Sequence, residues 1–248
     1  MRNLGVRISP SVDRVTFTVV GHFNPAIFSP SWFALNELVG KNEADQASVQ
    51  VIHPEVCQIS VGQFQIYADL NRFTASCDAN YHLMARDLAI GTFGNFLVHT
   101  PITAMGINRE VHFDTGDFWI RDEVGNRLAP KEAWGAWGQE ISGLKEATNN
   151  HGGMMRIAMQ QPRLNFRCPS YIQTEVQPSQ HPDLQRSGIY MLVNNHYQLS
   201  STATPAPIKD VMDTLESEWE PAIEKADFII DQIQCLTESC KKELAEKR

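Results

Sequence analysis

The chain lacks the short motifs by which enzymes of this size are usually recognised. No G-x-x-x-x-G-K-[ST] and no G-x-G-x-x-G occurs, so neither glycine loop that cradles a phosphate is present. Gly91-Thr92-Phe93-Gly94 has no following Lys and falls inside a helical pattern. The absence of G-x-S-x-G excludes the nucleophile elbow of the α/β-hydrolases. No H-E-x-x-H, H-x-H or C-x-x-C occurs, so no metal site and no cofactor is expected. The five cysteines are odd in number and scattered. Cys235 and Cys240 lie five apart on different faces of one helix, with no nearby His to complete a metal site. Reduced thiols of this kind fit a cytosolic protein better than a disulfide framework. No 18 consecutive apolar residues occur, and Met1 to Pro10 lacks an apolar run of signal-peptide length. The expected location is the cytoplasm, away from any membrane.

Positive charge is also in short supply: 21 Lys and Arg stand against 29 Asp and Glu, for a net charge of -8. An acidic chain repels phosphate backbones, so nucleic-acid binding is disfavoured. The one basic cluster, Lys241, Lys242, Lys247 and Arg248, is interleaved with Glu238, Glu243 and Glu246 and reads as a solvated helix face. Arg72-Phe73, and Arg163 and Arg167 around Phe166, are too sparse for a stacking surface.

What is present is ordinary globular composition, 42% apolar and 9% aromatic, enough for one sizeable core or two modest ones. Alternation of apolar and polar residues predicts strands at 14–21, 49–52, 56–59 and 63–70, then 102–113, 154–160, 171–177 and 188–195. Their short connections favour antiparallel pairing. Ser29 and Pro30 open a helix that Gly40 can end. Helical spacing recurs over 80–98, where Gly91 and Gly94 suggest close packing, and over 130–144 with Trp134, Trp137 and Ile141. Asp117 to Arg127 reads as a polar hairpin or loop around Gly125, and Asn149 to Gly153 as a turn. A last helical stripe runs from about 207 to 246, with a kink or a junction of two helices expected near Glu218 to Pro221. The fold class is α+β: antiparallel sheets covered by helices, in two similar-sized halves, 1–115 and 116–248, separate or joined in one domain. A two-half likeness shows in Ile107-Asn108 before His112-Phe113 and in Val193-Asn194 before His196-Tyr197.

Candidate functional residues are few. Glu110, His112 and Asp114 alternate along one strand and so share a face. With a distant His196 they could hold a metal or perform acid–base hydrolysis, provided that the three side chains of His112, Asp114 and His196 converge. The competing reading is the polar face of a half-solvated sheet ending in an Asp-Thr-Gly turn. His151-Gly152-Gly153 could offer backbone N–H groups to an anion, or form a turn. On the last helix, Trp219, Ile230, Ile233 and Leu236 form an apolar stripe that covers the protein's own sheet or, if exposed, contacts a partner.

The opening strand around Val15 to Val20, QISVGQFQIYADLNRFT from Gln58 to Thr74, PITAMGIN from Pro101 to Asn108, GIYMLVNNHY from Gly188 to Tyr197 and the closing helix resemble a sporadically distributed family of bacterial proteins of similar length whose function is not established. The second-half helix departs from that pattern. The resemblance implies a bacterial or phage setting and an antiparallel α+β fold, and it carries over no catalytic residue. Some such proteins sit among mobile or anti-phage defence genes. The resulting expectation is a non-catalytic binding or assembly subunit with a protein partner or further copies of itself. The alternatives are a hydrolase using the His/Asp residues and a nucleic-acid-associated factor.

Overall fold

The computed structural model describes residues 7–143, 152–164, 166–200 and 204–246. Alternation builds its strands. β1 (Val12–Gly21) buries Val15, Phe17 and Val19 on one face and keeps Arg14, Thr16 and Thr18 on the other. A meander follows: β2 (Ser48–His53), β3 (Val56–Val61), β4 (Phe64–Asp69) and β5 (Arg72–Asp78). Gly62 supplies the positive φ of 55° that the tight β3–β4 turn requires. β6 (Ile102–Asp114) is the longest strand, and β7 (Ile157–Pro162), β8 (Ser170–Pro178) and β9 (Gly188–Gln198) form a second meander.

All nine strands join one antiparallel sheet in the order β2-β3-β4-β5-β1-β6-β9-β8-β7. The halves therefore share a sheet, welded where β1 pairs with β6 and Phe17 lies opposite Ile107. Pairing these two long strands satisfies backbone groups that two separate sheets would leave at open edges. From this joint outward one side runs β1-β5-β4-β3-β2 and the other β6-β9-β8-β7, five strands against four. Each side runs long strand, helices, antiparallel meander and closing helix, a repeat of topology that equates β1 with β6 and β5 with β9. The sequence likeness of 107–113 to 193–197 instead compares β6 with β9, two strands of the same side.

The helices differ from expectation in three places. α1 (Pro30–Leu35) is capped by Ser29, whose Oγ accepts from the Trp32 N–H at 3.2 Å, but it stops well before Gly40, and α2 (Lys41–Asp45) is separate. α4 (Phe118–Leu128) is a helix where a loop is predicted; Asp117 caps it by accepting from the Trp119 N–H at 2.7 Å. α6 (Ile208–Glu246) runs unbroken through Pro221, so no junction of two helices occurs there. α3 (His82–Ala89) continues into a π-helical stretch over Ile90–Phe96. There Gly91 admits Leu38, whose Cδ2 would stand 2.4 Å from an added Cβ. α5 (Gly135–Gly143) completes the set, and no helix among the described residues is long and apolar enough to cross a membrane.

α1, α3, α4 and α6 pack on the face of the sheet that carries Phe17, Ile107 and Met191. α6 crosses both halves of the core. Val211, Leu215 and Trp219 enter the first cluster; Ala226, Ile230 and Cys240 enter the second. Polar groups fix its register. The Arg109 guanidinium, 4% exposed, donates to Asp227 Oδ1 at 3.1 Å and also to Asp13. The Trp219 indole N–H donates to His82 Nδ1 at 3.1 Å.

Candidate functional site

The predicted convergence of His112, Asp114 and His196 does not occur. His112 stands opposite Tyr190, whereas His196 stands opposite Gly106, six residues along β6. At about 3.4 Å per residue the two histidines are roughly 20 Å apart, beyond any shared chemistry. Asp114 serves the following turn. Its carboxylate accepts from the Gly116 N–H at 2.8 Å, and hydrogen bonds from Ser187 and that N–H hold it below its ordinary pKa. His196 stacks on Tyr171 with ring centroids 4.6 Å apart, and burial lowers its pKa.

His112 finds partners that the sequence did not indicate. Its Nδ1 lies 2.8 Å from Ser179 Oγ, its Nε2 3.7 Å from Glu110 Oε1, and its ring 5.9 Å from that of His181. A Ser-His-carboxylate order invites comparison with a hydrolytic triad. The Ser179 hydroxyl, however, already accepts from the His181 N–H at 3.1 Å, and the residue is only 1% exposed. A nucleophile must reach its substrate; this serine instead pins the 179–187 loop to the end of the sheet. Burial dominates in lowering the His112 pKa, against the opposing pull of Glu110. Of the anion-binding candidate, His151 lies outside the described residues; Gly153 lies beside the Asp122–Lys131 ion pair, whose carboxylate and ammonium stand 3.2 Å and 3.8 Å from an added Cβ.

The predicted contact stripe on α6 is corrected in part. Trp219 and Ile230 are wholly buried in the protein's own core, because the sheet supplies the apolar face that they need. Ile233 and Leu236 are half-buried against the second core cluster, and Ile233 also lines a cavity of about 330 Å³ beside β7 with Ile157 and Ile229.

The face opposite the helices is where functional groups collect. Register places one uncharged hydrogen-bonding residue from each of the nine strands in a single line across the sheet. From the centre outward on one side the line reads Thr16, Ser76, Gln65, Ser60 and Ser48. On the other it reads Asn108, Asn194, Gln173 and Gln160. The neighbouring line is also free of carboxylates, lysine and arginine. It runs Thr18, Thr74, Tyr67, Gln58 and Val51 one way, and Gly106, His196, Tyr171 and Pro162 the other. With strands about 4.8 Å apart the track is about 38 Å long.

Its centre is ordered by short bonds: Thr16 Oγ1 to Ser76 Oγ at 2.8 Å, and Asn108 Nδ2 donating to Thr18 Oγ1 at 3.2 Å. Gly106 keeps the centre flat; a Cβ there would stand 3.1 Å from Asn194 Oδ1. Charged residues flank the track, with Asp78, Arg14, Glu110 and Glu175 on one side and Arg72 and Asp69 on the other. Arg14 and Glu110 pair at 3.3 Å. The sequence showed the polar alternation of each strand, but it held no signal for the register that aligns nine of them. Compared with known protein families and with curated proteins, the chain matches none.

Proposed function

We propose that the protein is a non-catalytic binding or assembly subunit that holds a protein partner against the open face of its sheet. One observation carries this reading: a track of uncharged amide, hydroxyl and tyrosine side chains crosses all nine strands between charged margins. A charge-depleted centre with tyrosines and a polar, charged rim is the anatomy of a protein–protein interface. Duplex nucleic acid fits less well, because its phosphates would meet Asp78, Glu110 and Glu175 at the rim. The hydrolase reading loses its support with the separation of His112 from His196 and the burial of Ser179. The bacterial or phage setting, with its link to defence, rests on the family resemblance.

The test is affinity recovery of the tagged chain from a bacterial host carrying it. The comparison uses the wild type, Asn194→Glu in the track, and Glu224→Lys on the exposed side of α6. A stoichiometric protein retained by the wild type and by Glu224→Lys but lost with Asn194→Glu is the expected result. A recovered species indifferent to Asn194→Glu would overturn the reading.

A further inference from the structure

We infer that the occupant of the open face is a second copy of this chain, stacked sheet against sheet about a two-fold axis that runs along the strands between β1 and β6. This rests on the assignment of that face as the binding surface, and it names the partner.

Three features argue for self-association. The first is positional. Strand order matches four deep on either side of the β1–β6 joint, so such an axis sets β1 over β6 of the second copy, β5 over β9, β4 over β8 and β3 over β7, and leaves β2 beyond the overlap. The second is chemical. The β1 side of the track is rich in hydroxyls and the β6 side in amides. Thr16 then faces Asn108 of the second copy, Ser76 faces its Asn194, and Ser60 faces its Gln160, each contact occurring twice. A hydroxyl donates one hydrogen bond and an amide both donates and accepts, so each pair is complementary. Short side chains meet long ones, which suits two layers about 10 Å apart. Within the described residues the side chains of Asn194, Gln160 and Ser60 make no hydrogen bond, so their capacity is unspent. Charge also matches at the rim, where Arg14 faces Glu110 of the second copy and Glu110 faces its Arg14.

The third feature is area. The eight overlapping strands present a face about 34 Å by 20 Å, roughly 700 Å² per copy. Two copies then bury about 1,400 Å² in total, within the range of an interface of standard size. An isologous contact of this kind closes on itself and leaves no open face to propagate.

The experiment is light scattering of the purified full chain, whose monomer mass is 27.9 kDa, at about 10 µM, a concentration that saturates a dimer of micromolar Kd or tighter. The wild type is expected at twice the monomer mass. Asn194→Glu sets two like charges in the centre and is expected to weaken the dimer at least tenfold. Arg14→Glu places Glu against Glu110 and is expected to do the same, while Arg14→Glu with Glu110→Arg restores the dimer. Circular dichroism of each variant separates dissociation from misfolding, and the restoring double variant guards against a general loss of structure. A monomeric wild type, or a dimer that tolerates both single substitutions, overturns the inference. If the wild type is monomeric yet Asn194→Glu still loses a recovered partner, the face binds another protein and only the second-copy assignment fails. If Asn194→Glu changes neither mass nor recovery, both fail.

Discussion

Arg109 shows what a buried charge does when its partners come from two other elements, β1 and α6. It sits on β6, and burial lowers its pKa while raising that of Asp227 on α6. For both groups the loss of water outweighs the mutual attraction, so the pair orders α6 on the sheet more than it strengthens the fold. Removing Asp227 leaves Arg109 with Asp13 as its carboxylate partner. Asp227→Ala is therefore expected to destabilise the protein by about 1.5–3 kcal/mol, whereas Arg109→Met with Asp227→Leu recovers most of that loss. Urea unfolding of the two variants checks this; equal destabilisation of both would refute it. His112 makes a pH prediction. Its folded pKa lies below its unfolded value of about 6.5, so the unfolded chain binds more protons as pH falls. The stability that neutral His112 contributes is fully present above about pH 6.5 and is lost as pH falls from there towards the folded pKa. His196 acts in the same sense. Melting temperature is expected to drop between pH 7.5 and 5.5, and to drop less in His112→Gln, which keeps a polar group beside Ser179 but cannot titrate.

At the scale of elements, most of the fold was legible and the reason is periodicity. Strands that bury one face write an alternation that needs no partner to be read, as in Val15, Phe17 and Val19, or Phe64, Ile66 and Ala68. α4 was missed because it offers only a thin stripe, with Val124 and Gly125 its buried residues, and because Gly125 resembles a turn. Its one clear signal was Asp117 at the N-cap. Register was not legible at all, and the candidate site is made of register. Nothing in the order of residues places Ser48 in line with Gln160. α6 presents the opposite case: Pro221 predicted an interruption, and continuous burial on both sides of it, from Trp219 to Ala222 and Ile223, holds the helix together. Pro221 still lacks the N–H that the preceding turn would accept from. Since its own side chain is exposed, Pro221→Ala is expected to raise stability by about 1–3 kcal/mol. A lower melting temperature would mean that the sheet requires the bend which a proline imposes.

Across the whole molecule two features bind the halves: the β1–β6 pairing and the passage of α6 from one core cluster to the other. Two halves with repeated topology could each unfold alone if only a linker joined them. Here the central strands share a ladder of backbone hydrogen bonds, and Trp219, wholly buried, packs its ring 6.4 Å from that of Phe17 at the joint. Losing either half exposes the apolar underside of α6 and an edge of β1 or β6, so partial unfolding costs nearly as much as complete unfolding. Scanning calorimetry is expected to show one transition with calorimetric and van't Hoff enthalpies equal for the cooperative unit. Trp219→Ala removes both the packing and the bond to His82, and is expected to cost about 3–5 kcal/mol and to shift that single transition as a unit. If it instead splits the melt in two, the weld at β1–β6 is weaker than the packing of α6, and each half holds its own fold once the helix lets go.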